Sequence, residues 1–293
     1  MLGYTIKRIL QVIPVLLIIS FICFMMIRLV PGDPVANMLG VNASKEAIAA
    51  QRAELGLDKP LLTQYGDFLV KALQAVWSVA LIAVLILTSV DLNCFSRPFY
   101  ADQYRQLNTA QTIGMSEEDL DLTTDVLLDY TQGKRGNLDV QAVIGGQVQE
   151  VFNQREKDHM VDVQALYLNA MSVRNLAAAI VIVGLGLLVM KKDKALRRQT
   201  AKMFLKTSAV LMGLAGALAF YAFLDFNEFW TMFHHIFFRN DLWLLDPNTD
   251  VLIMMVPETF FFNLVFRILG GFGLGYLVCL VLAWFESKGG VQA

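Results

Sequence analysis

The stretch NLAAAIVIVGLGLLVMKKDKALRRQTAKMFLKTSAVLMGLAGALAFYAFL (residues 175–224) holds two charge-free apolar runs, 175–190 and 207–224. They are joined by a segment with seven Lys or Arg and one Asp. An α-helix rises about 1.5 Å per residue and must cross roughly 30 Å of hydrocarbon, so about 20 apolar residues make a span. Three further runs of the same kind lie at 9–27, 72–90 and 268–285. Apolar residues make up 56% of the 293-residue chain and charged ones 17%, against about 45–50% and 25% in globular domains. A soluble core could not bury five such helices. The reading is an all-α polytopic membrane protein.

Short loops rich in Lys and Arg stay in the cytoplasm, which places 191–206 inside. Residues 91–174, with 13 acids against 7 bases, and 225–262, with 6 against 1, then share the outer face. Working back, the span at 72–90 runs outward, which puts 31–71 inside and Met1 outside. Yet Lys7 and Arg8 ahead of the first span favour an inward amino end. The conflict is one of parity. Either the first span is inserted against its own signal, or 61–73 is no simple loop, or two unrelated pieces share one reading frame.

Other classes drop out. No basic excess is left for nucleic acid. Cys23, Cys94 and Cys279 have neither metal spacing nor the pattern of a disulfide framework. The first apolar run is too long for a cleavable signal peptide. No H-E-x-x-H, Walker or G-x-S-x-G pattern occurs, and Asp241, Asp246 and Asp250 lack the glycine and terminal Glu of a calcium loop. Neither cofactor nor metal is expected.

Locally, Pro31-Gly32-Asp33-Pro34 reads as a rigid turn ending the first span, and Ser44 N-caps a short helix that Gly56 ends. Residues 31–74 read as a linker with that one helix. Ser116 followed by three acids starts another helix, and 131–137 is a turn-rich break. The run 147–171 has no Pro or Gly and reads as a helix. On it Glu156, His159, Asp162 and Val163 form one stripe. Gly270, Gly271, Gly273 and Gly275 permit close helix packing in the last span.

The chain has three histidines, His159, His234 and His235, and all fall in the two outer segments. An acid one turn from His159 can fix the imidazole tautomer and raise its basicity; the competing reading is a solvated charged face. His234 and His235 sit among Phe229, Trp230, Phe233, Phe237 and Phe238. Such a segment suits the headgroup layer, and an aromatic belt with incidental histidines is the competing reading.

Two resemblances follow from longer motifs. MLGYTIKRILQVIPVLLIISFICFMMIRLVPGDPVANMLG (1–40) with ELGLDKPLLTQYGDFL (54–69) is similar to the amino end of dipeptide/oligopeptide ABC-transporter permeases. That resemblance covers 1–73 and stops; the basic loop lacks the E-A-A-type coupling pattern those permeases need. Residues 75–293 resemble the bacterial lipoprotein intramolecular transacylase (Lit) family, through RPFY (97–100), FNQREKDHMVDV (152–163) and FHHIFFRNDLWLLDPNTDVLIMMVPETFF (233–261). The implied organisation is a permease-like span and linker over 1–74 and a four-span transacylase domain over 75–293. The implied fold is a four-helix transmembrane bundle with a helical extracytoplasmic part and one extra N-terminal helix.

The second resemblance implies an acyltransferase of the bacterial cell membrane that acts on diacylglyceryl-modified lipoproteins and membrane lipid as a monomer. An acyl chain moves from the sn-2 ester to the α-amine of the same N-terminal cysteine, giving a lyso-form lipoprotein. Such a transfer needs a general base, an oxyanion partner and an acid for the leaving oxygen. His159 is assigned as base and His234 as acid or oxyanion partner, with the reverse equally compatible with the sequence. Glu156 or Asp162 orients His159; Asn153 and Arg155 donate to the ester or oxyanion. Asp241, Trp243, Asp246, Asp250, Tyr100 and Tyr104 shape the entrance. Capping, turn-making and solvated surface compete for each of these. The alternatives are a subunit of a peptide transporter and a non-catalytic membrane protein.

Overall fold

A computed structural model describes residues 2–29, 34–40 and 43–289. The expected turn at Pro31-Gly32-Asp33 lies outside the described residues. Helices α1 (Leu2–Leu29), α2 (Pro34–Leu39), α3 (Lys45–Glu54) and α4 (Leu61–Cys94) come first. Then follow α5 (Arg97–Leu107), α6 (Thr109–Ile113), α7 (Glu117–Thr131) and a hairpin of β1 (Gln141–Ile144) and β2 (Gln147–Glu150). The chain continues through α8 (Gln154–Lys191), α9 (Lys194–Leu224), α10 (Phe226–Phe237), α11 (Val251–Met255) and α12 (Glu258–Lys288). It is an all-α membrane protein with one small hairpin. Four helices, α4, α8, α9 and α12, are long and apolar enough to cross a membrane, and α1 carries a shorter apolar stretch, Gln11–Met26.

Two compact units divide inside α4, Met1–Val76 and Trp77–Ala293. In the first, Ser44 caps α3 by accepting from Ala47 N, and Gly56, at φ 67°, turns the chain beyond it. Tyr65 joins α1 to the first turns of α4: its hydroxyl donates to the Leu17 carbonyl at 2.9 Å, and its ring meets Phe21 and Phe24. The linker differs from expectation. It holds two short helices, and α4 begins at Leu61, because the charged turn around Asp67 and Lys71 is continuous with the apolar span.

In the second unit a buried core forms where α5, α6, α7, the hairpin, α11 and the ends of α8 and α12 meet. Phe152, Phe260, Leu120 and Met255 are fully enclosed. Ser116 caps α7 as expected, accepting from Asp119 N. The expected helix over 147–171 is corrected at its start: 147–150 is β2, and α8 begins at Gln154. Gly145 and Gly146 both sit at positive φ, 61° and 85°, in a two-residue turn that pairs Ile144 with Gln147. That turn favours residues free of a Cβ, and Asn153 supplies the later cap.

The spans pack through small residues. Trp77 of α4 lies on Gly184 of α8 and donates from Nε1 to the Val181 carbonyl at 3.2 Å. Ser89 of α4 donates to the Ile268 carbonyl of α12 at 2.6 Å, over Gly271. Arg197 of α9 pairs with Glu286 of α12 at 3.0 Å. Most of the apolar span surface faces outward, as lipid contact requires. The basic α8–α9 turn closes one end of the bundle; His159 stands at the other, about 48 Å away along α8.

Candidate active site

His159 occupies the second turn of α8 and His234 the last turn of α10. The start of α8 is held by a capping box. Asn153 Oδ1 accepts from Glu156 N at 3.1 Å, and Glu156 Oε2 accepts from Asn153 N at 2.7 Å. The other Glu156 oxygen accepts from Leu252 N at 2.6 Å, and Asn153 Nδ2 donates to Asp250 at 2.8 Å. Arg155 donates to the Asp241 carbonyl, and Asn240 donates to Asp162 at 2.8 Å. These bonds lay the segment from Phe238 to Leu252 along the first turns of α8. His234 and His159 thereby come to share one neighbouring ring.

The meeting point is Phe238. Its ring lies 5.4 Å from that of His159 and 5.6 Å from that of His234. Trp230 and Trp243 also enclose His234, at 4.5 Å edge-on and 4.4 Å nearly parallel. Both imidazoles are buried, whereas His235 is exposed, its ring standing across Trp243. Phe238 and Trp230 were not among the sequence candidates. Trp230 stands four residues before His234 on α10, a spacing that stacks helical side chains on one face, whereas Phe238 is the extended residue that ends the helix.

Burial disfavours charge on both rings. It pushes His159 down to about 4, helped by the charge of His234 and opposed by Asp162. It also lowers His234, against a bond from its Nδ1 to the Trp230 carbonyl at 2.8 Å. Both rings lie outside the charge-free runs, and both are neutral at pH 7. A carbonyl only accepts, so the neutral His234 carries its proton on Nδ1 and presents a lone pair at Nε2. His159 Nδ1 and Trp243 Nε1 are sealed from solvent with no hydrogen-bond partner among the described residues.

The remaining sequence candidates are placed as follows. Glu156 directs its oxygens to Leu252 and Asn153, and burial raises its pKa. Asn153, Arg155 and Asp250 bind the loop to α8, and Asp246 accepts from Asn248 N at 2.9 Å as a turn former. Asp162 is the acid whose charge acts on His159. Tyr100 and Tyr104 pack on Phe260 in the core.

A family profile described as the lipoprotein intramolecular transacylase Lit matches residues 75–261. A second profile, for the N-terminal part of membrane components of binding-protein-dependent transport systems, matches residues 1–104. Glutathione transport system permease proteins GsiC of Salmonella typhimurium and Escherichia coli are 37% and 36% identical over 83 residues, 28% of this chain and 27% of theirs. The chain thus spans about a quarter of the length of the curated relatives it matches. Among solved structures, Lit of Bacillus cereus aligns with a TM-score of 0.61 at 21% identity, over 77% of this chain and 99% of that one. A variant of it with a histidine replaced by alanine gives 0.61 at 19%, over 78% and 98%. That likeness is one of fold. With more than half its length matched by the first profile, the chain belongs to the Lit family of lipoprotein intramolecular transacylases.

Proposed function

We propose that this chain is a membrane acyltransferase that moves an acyl chain from the sn-2 ester of a diacylglyceryl-modified lipoprotein to the α-amine of its N-terminal cysteine. The observation that carries the reading is the pair of buried, neutral imidazoles brought against one phenyl ring. The amine nitrogen attacks the ester carbonyl carbon, and the carbonyl π pair moves to oxygen. His234 Nε2 takes the proton released from nitrogen. The tetrahedral intermediate collapses, the carbon–oxygen bond to glycerol breaks, and His234 returns the proton to the leaving oxygen. An amide and a free glyceryl hydroxyl result, with no water consumed and no acyl-enzyme formed.

This assignment exchanges the roles read from sequence. General bases work best with a pKa near the working pH, and His159, held at about 4, is the weaker candidate. As a neutral ring it instead donates a hydrogen bond to the charge developing on the ester oxygen. Donor and acceptor belong to one molecule, and orientation can supply roughly 7–11 kcal/mol of the barrier. The positive-inside rule puts the basic α8–α9 turn in the cytoplasm and the histidines on the outer face of the cell membrane. Residues 1–74 are proposed as a separate permease-like module.

The test is purified protein in nanodiscs with a diacylglyceryl lipopeptide. Transfer conserves mass, so the readouts are loss of the free α-amine and fragmentation that places the acyl group on nitrogen. A substrate whose amine stays free refutes the proposal. The second reading, a transport component, is favoured by the permease-like first segment; it expects activity that depends on a co-expressed ATPase.

A further inference from the structure

Trp243 combines two features that fit poorly together unless a ligand is involved. The face of its indole stacks on His234, with planes 26° apart. Its Nε1–H lies in the indole plane and so does not point at the stacked imidazole. That atom is buried, and no acceptor meets it among the described residues. An indole N–H can only donate, and a buried donor left unpaired is destabilising. A Phe would fill the stack without that cost. Tryptophan here therefore supplies a donor for an oxygen that arrives with the substrate. His159 Nδ1, likewise sealed and unpaired, belongs to the same ring cluster through Phe238 and His234.

We infer that Trp243 Nε1–H donates to the carbonyl oxygen of the ester under attack and stabilises the negative charge that oxygen gains. The inference rests on the transacylase reading. As nitrogen bonds to the carbonyl carbon, the π pair moves onto the oxygen that Trp243 holds. When the glyceryl carbon–oxygen bond breaks, the pair returns and the oxygen is an amide carbonyl. The indole keeps its proton throughout. It is distinct from the imidazole that moves protons.

The test compares wild type with Trp243→Phe and with a protein carrying benzothienylalanine at 243, which keeps shape and stacking but replaces N–H by sulfur. Loss of one oxyanion donor lowers kcat about 10²–10³-fold. The expected result is that loss in both proteins, with KM and the acid limb of the pH profile little changed. An ether-linked lipopeptide, which has no ester carbonyl, should bind all three equally. Full kcat in the benzothienyl protein overturns the inference and leaves the transacylase reading intact. If Trp243→Phe unfolds, the benzothienyl protein decides alone. Wild type that leaves the amine free overturns the transacylase reading itself.

Discussion

Glu156 accepts the backbone N–H of Leu252 at 2.6 Å across 96 positions of chain, while its other oxygen caps the helix that carries His159. One carboxylate therefore sets both the start of α8 and the path of the loop that brings Trp243 onto His234. Glu156→Ala leaves a buried N–H without an acceptor and removes half of a capping box, which should cost about 1–3 kcal/mol. Glu156→Gln keeps an acceptor and should cost less. Thermal unfolding in detergent measures the order; equal stability of Glu156→Ala and wild type would contradict it.

His234→Ala should lower transacylation by at least about 10²-fold, the usual contribution of a positioned acid–base group. His159→Ala should also lose activity, whereas the exposed His235→Ala should retain it. Counting free α-amines after reaction checks all three. Equal losses at His234 and His235 would show that burial does not distinguish them.

The pH dependence follows from the buried rings. His159 is held at about 4 in the folded protein and titrates near 6.5 when unfolded. Between those values the unfolded state binds the extra proton, so this contribution to stability is intact above about pH 6.5 and declines as pH falls toward 4. The slope is at most about 1.4 kcal/mol per pH unit. Burial raises Glu156 and so acts in the opposite sense. Comparing wild type with His159→Gln isolates the histidine. The difference should shift against wild type on acidification, and a constant difference from pH 7 to 4 would exclude the effect.

Glycines of one span should differ sharply. A Cβ at Gly184 collides with the Trp77 indole, whereas one at Gly186 meets nothing within 4 Å. Gly184→Ala should destabilise the bundle by about 1–3 kcal/mol, the range for overpacking, and Gly186→Ala should be close to neutral. Unfolding of the purified variants measures both.

Removing residues 1–60 keeps α4 whole from Leu61 and should leave transacylation comparable to that of the full chain. Loss of activity from a folded truncated protein would tie the permease-like module to catalysis.

Much of this is legible in the sequence. The spans follow from charge-free runs, because hydrocarbon excludes charge. The histidines stood out by scarcity and by their place beyond the spans. Where the structure departs from the sequence pattern, the causes are local. The run 147–171 lacks helix breakers, yet Gly145-Gly146 ahead of it closes a hairpin, and Asn153 caps a helix that starts at Gln154, seven residues later than the uninterrupted run implies. Asn153 and Glu156 are spaced as a capping box, and that spacing outranks a catalytic reading of either. Phe238 and Trp230 bear no chemical group that would draw notice. Their importance arises only when the loop folds back on α8.

The length of α8 has a last consequence. Its 38 residues make a rod of about 57 Å, nearly twice the hydrocarbon thickness. If Lys191 sits at one headgroup layer, as the proposed orientation has it, His159 about 48 Å along the helix stands beyond the hydrocarbon on the other side. On the proposed transacylase reading, a lipid ester reaching those rings leaves the hydrocarbon in part, at about 0.8 kcal/mol for each methylene brought into water. Trp230, Phe233 and Phe238 packed round His234 make the surroundings of that ring apolar, so that on the same reading a tail leaving the leaflet meets carbon rather than open water.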